Sequence, residues 1–149
     1  MYRKSLELDP ESASAHYNLA ASLARRGEFA AAERHFRAAL AQNPSAQTYT
    51  GLGFALWKQG RVDEAIASLH DAIEADRKHP AAYDQLGTIL VEQGRLDEAE
   101  SNYRALVRTR ASAAAHQKLA EVLMRLGRGD EARRELEMAQ ALGRNAETR

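Results

Sequence analysis

The sequence predicts an all-α fold, an α-solenoid of about four tandem helix–turn–helix units, and three observations carry that prediction. First, one phrase recurs: Gly60-Arg61-Val62-Asp63-Glu64-Ala65, Gly94-Arg95-Leu96-Asp97-Glu98-Ala99 and Gly127-Arg128-Gly129-Asp130-Glu131-Ala132, with a degenerate copy from Gly27 to Ala32. The leading glycines Gly27, Gly60, Gly94 and Gly127 stand 33, 34 and 33 residues apart, a period that marks stacked repeats. Second, the columns around them repeat at helical spacing. Leu19-Ala20, Leu52-Gly53, Leu86-Gly87 and Leu119-Ala120 are followed by Leu23, Leu56, Leu90 and Leu123 and preceded by the rings His16, Tyr49, Tyr83 and His116. Third, the composition favours helix throughout: rich in Ala, Leu, Glu and Arg, with 3 prolines in 149 residues.

Each unit divides into a helix A, a tight turn and a helix B. The Leu19-type stripe is the buried face of helix A. The glycine that follows is placed at the C′ position, where a left-handed conformation costs it little. Asp63-Glu64, Asp97-Glu98 and Asp130-Glu131 fall where helix B begins, and are expected to cap it and complement its dipole. Along helix B the small residues Ala32, Ala65, Ala99 and Ala132 lead, four residues on, to Phe36, Leu69, Tyr103 and Leu136. Small residues let helices approach and large ones fill the gaps. Pro44 and Pro80 separate units, and Ser112 is placed to cap the first helix of the last.

This pattern resembles the tetratricopeptide repeat (TPR), with its large–x2–Leu–Gly/Ala, Ala–x3–aromatic and terminal Pro columns. The resemblance runs from Ala13 to about Leu142 and implies repeats at 13–45, 46–79, 80–112 and 113–145. Residues 1–12, with Tyr2 in the column of Phe36 and Pro10 in that of Pro44, resemble the tail of a preceding helix B; 146–149 form a C-terminal tail. The expectation is therefore a segment of a longer array, or one that stacks end to end. The pattern departs from the family where His or Tyr replaces the first Trp, and where Arg77 and Ala111 replace the terminal Pro.

By the same resemblance, the units form part of a right-handed superhelix whose concave groove is lined by the A helices. The expected partner-binding residues are Tyr17, Asn18 and Arg25 in the first unit and Phe54, Trp57 and Lys58 in the second. Asp84, Gln85 and Val91 follow in the third, and Lys118, Met124 and Arg125 in the fourth. Thr50 and Gly51 belong to the same columns. Tyr17, Phe54 and Trp57 beside Arg25 and Lys58 have the make-up of an interface hot spot, although such rings also serve simply to pack helices together. Two specialised modes of the family do not fit. The clamp for chaperone C-termini needs Lys, Asn and Arg where this chain has Tyr17, Ala21, Gly51, Ala81 and Gln85. An asparagine ladder would need Asn beyond Asn18.

The chemistry of other function classes is missing. Lys+Arg and Asp+Glu balance at 21 each, so no net field attracts nucleic acid or an anionic membrane. Arg61, Arg95 and Arg128 recur at the turns, but each is followed by acids. With no cysteine there is no thiolate site, and the redox compartment is left open. No stretch approaches the ~18 apolar residues of a membrane helix. The expectation is a soluble chain, with the cytoplasm favoured. His16, His35, His70, His79 and His116 include no pair at i, i+4, so no helical metal face is written, and His16 and His116 fill ring positions. Gly51-Leu52-Gly53 lies inside a helix and is no phosphate loop, Arg128-Gly129-Asp130 is a turn, and Asn43-Pro44-Ser45 carries Pro at the blocked position.

The reading is a non-enzymatic scaffold, without cofactor or metal, that binds a protein or extended peptide. The alternatives are self-association through Tyr2 to Leu8 and Ala132 to Leu142, giving end-to-end homo-oligomers, and a docking arm of a larger enzyme.

Overall fold

The computed structural model describes residues 12–148. The proposed helix tail before Ser12 lies outside them. Among the described residues there are helices and turns and no strand. In chain order the helices are α1 (Ala13–Arg25), α2 (Phe29–Gln42), α3 (Ala46–Lys58), α4 (Val62–Ala75), α5 (Pro80–Glu92), α6 (Leu96–Thr109), α7 (Ala113–Arg125) and α8 (Gly129–Glu147). They alternate as A and B helices, so the helix–turn–helix array predicted from the repeats is what the chain forms.

The turns follow the glycine argument closely. Gly27, Gly60, Gly94 and Gly127 have φ of 79, 77, 72 and 76°, and no other described residue has positive φ. At Gly60 the amide donates to the Trp57 carbonyl (2.9 Å), and the next amide, of Arg61, reaches back to the Leu56 carbonyl (3.0 Å). This is the Schellman pairing that satisfies the last carbonyls of a helix. A Cβ added at Gly60 would meet nothing within 4 Å, so Gly60→Ala isolates the backbone term. We expect a loss of about 1–2 kcal/mol, read as a lower urea midpoint.

Three of the A helices begin at a serine. Ser12, Ser45 and Ser112 accept hydrogen bonds from the amides of Ala15 (3.3 Å), Thr48 (3.2 Å) and Ala115 (3.1 Å). Pro80 opens α5, where its missing N–H costs nothing. The B helices differ from expectation. Their N-cap positions are held by Glu28, Arg61, Arg95 and Arg128, and none makes a side-chain cap. Asp63 and Glu64, Asp97 and Glu98, and Asp130 and Glu131 lie inside the first turn. They complement the dipole without capping. The last helix is longer than the sequence implies: α8 runs to Glu147, past the Leu142 where the resemblance stops and into the expected 146–149 tail.

The described residues form two compact units, divided between Ala82 and Tyr83. In the first, Leu23, Phe36, Leu56 and Leu69 are buried around the small residues Ala20, Ala32, Ala55 and Ala65. A Cβ at Gly53 would lie 2.9 Å from Leu69 Cγ, so the glycine is what lets α3 and α4 close. Ala46, Ala72 and Ala82 make a further cluster, flanked by Tyr49 and Ile73. In the second unit Leu86, Ile89, Leu90, Leu119 and Leu123 are buried with Ala99, Ala120 and Ala132, and the Tyr103 ring lies 2.5 Å from where a Gly87 Cβ would stand.

Each unit also contains one ion-pair cluster. In the first, the buried Glu33 of α2 accepts both carboxylate bonds of Arg61 Nη1 (2.7 and 2.8 Å) and one from Gln59 (2.8 Å), and pairs with Arg37. Arg61 turns its remaining donors to Glu64 (2.8 and 2.6 Å). In the second, Arg128 Nη1 holds Glu100 at 2.7 and 2.7 Å while Arg128 also holds Glu131 (2.7 Å), and Arg104 joins Glu100 and Glu131. A turn arginine thus ties the hairpin it belongs to onto the B helix before it.

Candidate functional site

The residues expected to bind a partner fall into two sets, one in each unit. In the first unit, Tyr17, Asn18 and Arg25 come from α1 and Phe54, Trp57 and Lys58 from α3. The helical period of α3 places Phe54, Trp57 and Lys58 on one stripe, three and four residues apart, away from the buried Leu52, Ala55 and Leu56. Phe54 is the centre. Its ring centroid lies 5.9 Å from that of Phe29 and 6.2 Å from that of Trp57, both edge-on at 75°. The Lys58 ammonium stands 4.3 Å from the Trp57 centroid and 5.5 Å from that of Phe54, within cation–π range of both. Phe54 and Trp57 are half-buried, and Arg25 and Lys58 are exposed.

Toward the start of the same helices lies a cleft of about 430 Å³, lined by Tyr17 and Asn18 of α1, Asn43 of the connection, and Gln47 and Thr48 of α3. Its polar groups are side-chain amides and hydroxyls, each able to donate and accept. Phe29 was not anticipated. It opens α2, where the other B helices open with Val62, Leu96 and Gly129, so only a column comparison that asked why this one is aromatic would have flagged it.

Two neighbours in the expected groove columns point their side-chain direction into the protein. Thr50 is 5% exposed, its hydroxyl donating to the Ala46 carbonyl (2.7 Å). At Gly51 the space of a Cβ is filled by the Phe36 ring, 2.5 Å away at Cε1 and Cζ, and that ring also packs tilted against Tyr17 at 5.9 Å. These columns face the preceding B helix as much as solvent.

In the second unit, Asp84, Gln85 and Val91 lie on α5 and Lys118, Met124 and Arg125 on α7. Lys118 pairs with Asp84 and sits 6.0 Å from the Tyr103 centroid. Burial pushes the Tyr103 phenol above its ordinary pKa, so the ring beneath that lysine stays neutral. Gln85 Oε1 is buried without a hydrogen-bond partner, Val91 is half-buried, and Met124 is 62% exposed beside the exposed Arg125. This set is more polar and pairs Lys118 with its own Asp84.

Two histidine contacts cross-link helices. His16 Nδ1 and His35 Nδ1 are 3.0 Å apart, and His116 Nδ1 meets Glu135 Oε2 at 2.6 Å in the corresponding columns. Burial, the neighbouring His16 and Arg34 hold His35 below the ordinary imidazole range, which favours the neutral His35 ring in that contact. Among the described residues no three His, Cys, Asp or Glu side chains gather as metal ligands. No described helix is long and apolar enough to cross a membrane.

Comparison with known proteins accords with this geometry. Solved structures match over nearly the whole chain. MamA superposes with a TM-score of 0.89 at 23% identity, covering 99% of this chain and 88% of that one. Pseudomonas aeruginosa PilF gives 0.84 at 26% identity, covering 94% and 65%. YrrB, described as a TPR protein with an unusual peptide-binding site, gives 0.74 at 26% identity, covering 95% and 74%. No curated protein sequence matches the chain. Tetratricopeptide repeat family models match residues 13–46, 44–112 and 85–147. With the repeat columns, the glycine turns and the paired helices all in agreement, the chain belongs to the tetratricopeptide repeat family.

Proposed function

We propose that the protein is a non-enzymatic scaffold that holds a partner protein or an extended peptide on the face made by its A helices. Its proposed repeat units are 13–45, 46–79, 80–112 and 113–145. Tetratricopeptide repeats are in general non-catalytic interaction scaffolds, and the peptide-binding site ascribed to YrrB supports a peptide-sized partner here. The observation that carries the reading is the cluster of Phe29, Phe54, Trp57 and Lys58. Three rings meeting edge to face with a cation over two of them offer a rigid, amphipathic contact surface. Aromatic and cationic anchors of this kind dominate interface energies. The side-chain amides of Asn18 and Gln47 in the adjoining cleft suit the backbone of an extended segment.

The test begins with peptides selected by the full chain from a displayed random library. For these we expect Trp57→Ala to weaken binding by about 2 kcal/mol, roughly 30-fold, with helical circular dichroism unchanged. Affinities that ignore the substitution would remove the aromatic cluster from the contact surface.

A further inference from the structure

We propose that the segment held by the first unit is acidic and carries an aromatic or large aliphatic residue; this rests on the reading of the A-helix face given above. Neither α1 nor α3 contains an Asp or a Glu, and each ends in a cation, Arg25 or Lys58. The nearby acids are already engaged, Glu28 by Arg26 (2.8 Å), Glu33 by Arg37 and Arg61, and Glu64 by Arg61. Neither Arg25 nor Lys58 has a carboxylate partner among the described residues.

Cations in a last turn also complement the helix dipole, and that accounts for where Arg25 and Lys58 stand. It does not account for two further features. Lys58 lies back over the Trp57 and Phe54 rings, with N–H donors left for an incoming anion. And the second unit treats the same columns differently: its α5 and α7 carry Asp84, Glu92 and Glu121, Lys118 is satisfied internally by Asp84, and Arg125, which ends α7, has no cation–π ring contact among the described residues. In the first unit Lys58, without a carboxylate partner among the described residues, stands over half-exposed rings. A carboxylate reaching Lys58 forms a charge-assisted bond at the edge of an apolar patch, where water competes less, while the adjacent rings cover an apolar side chain. A nucleic-acid strand would also stack on such rings, but two cations cannot follow a run of phosphates.

Trp57 is the sole tryptophan, so its emission reports this face directly. Four probes are titrated into the full chain: a short peptide of Asp and Glu around one Phe, the same peptide with Phe→Ala, its Lys-for-acid counterpart, and oligothymidylate. We expect the acidic Phe peptide to bind at least about tenfold tighter than each of the others, and to weaken as salt rises from about 50 to about 300 mM. The Arg25→Glu, Lys58→Glu double variant, with folding checked by circular dichroism, is expected to lose that binding by at least tenfold and to gain affinity for the Lys peptide. Equal or tighter binding of the Lys peptide or of oligothymidylate overturns the proposal, as does the absence of any response to the acidic Phe peptide. A response that appears only as the protein's own concentration rises points to a second copy as occupant and overturns it too. Library-selected peptides that depend on Trp57 but are not acidic would leave the scaffold reading standing while removing this one.

Discussion

Replacing Phe36 with alanine is expected to lower the stability of the chain by about 3–5 kcal/mol, seen as a large fall in the urea midpoint. Phe36 is 2% exposed and belongs to two hairpins at once. Its ring rises from α2, packs against Tyr17 of α1, and fills the space beside Gly51 of α3. Truncation therefore opens a cavity where one hairpin rests on the next, which is where a repeat array takes its stability. The same geometry predicts a coupling. Gly51→Ala alone pushes a Cβ into the ring, an overpacking cost of about 1–3 kcal/mol that outweighs the roughly 1 kcal/mol gained in helix propensity. In a Phe36→Leu background the clash is relieved, and Gly51→Ala should become neutral or stabilising. A double-mutant cycle is expected to return a coupling of about 1 kcal/mol or more. Simple additivity would mean that the ring does not occupy the glycine's space, and would return Gly51 to the groove.

That pair also shows where sequence reading stops. The repeat period and the glycines at 27, 60, 94 and 127 identify the turns, because the Schellman geometry needs nothing beyond the local chain. Ser112 was legible as a cap for the same reason, and Ser12 and Ser45 obey identical logic. The family resemblance put Thr50 and Gly51 in groove columns, and helical period fixes only a direction relative to a residue's own helix. What stands in that direction is set by Phe36, 15 residues earlier and on another helix. Gly143 lies inside α8, since a helical glycine costs only about 1 kcal/mol. The acids after each turn looked like caps. They sit instead within the first turn of helix B, where Glu64 and Glu131 find the guanidinium three residues before them. Partners such as His35 for His16 and Glu135 for His116 lie 19 residues on in both cases, so a search for paired columns would have found them. Of the proposed site, residue identities and columns were legible; the ring contacts of Phe29 and the bare cations of the first unit needed coordinates.

The ion-pair clusters give the second large expectation. Glu33→Gln should destabilise the chain by about 1–3 kcal/mol near pH 7 while conserving shape, because Arg61 and Arg37 lose a buried counter-charge. Glu33 is 5% exposed, and burial by itself would raise its pKa. The hydrogen bonds from Gln59 and Arg61 and the charges of Arg37 and Arg61 outweigh burial and hold the carboxyl below its ordinary range. In the unfolded chain the same group titrates near 4.3, roughly. Its contribution is therefore complete above that value and is lost as pH falls through the lower folded value. The gap in urea midpoint between wild type and Glu33→Gln should thus hold from neutral pH to about pH 5 and close on further acidification. Glu64→Gln is the control: Glu64 shares Arg61 but is half exposed, and water replaces what it loses, so its midpoint should stay close to wild type. Ile66 occupies in the second repeat the column that Glu33 and Glu100 occupy in the first and third, so the lock recurs at alternate repeats and not at each. Glu100→Gln, which strips Arg128 and Arg104 of the equivalent partner, should accordingly reproduce the neutral-pH loss in the second unit. A Glu33→Gln gap that stays constant down to strong acid would mean that the carboxylate charge contributes nothing, and that hydrogen bonds an amide can imitate hold α2 to the following turn.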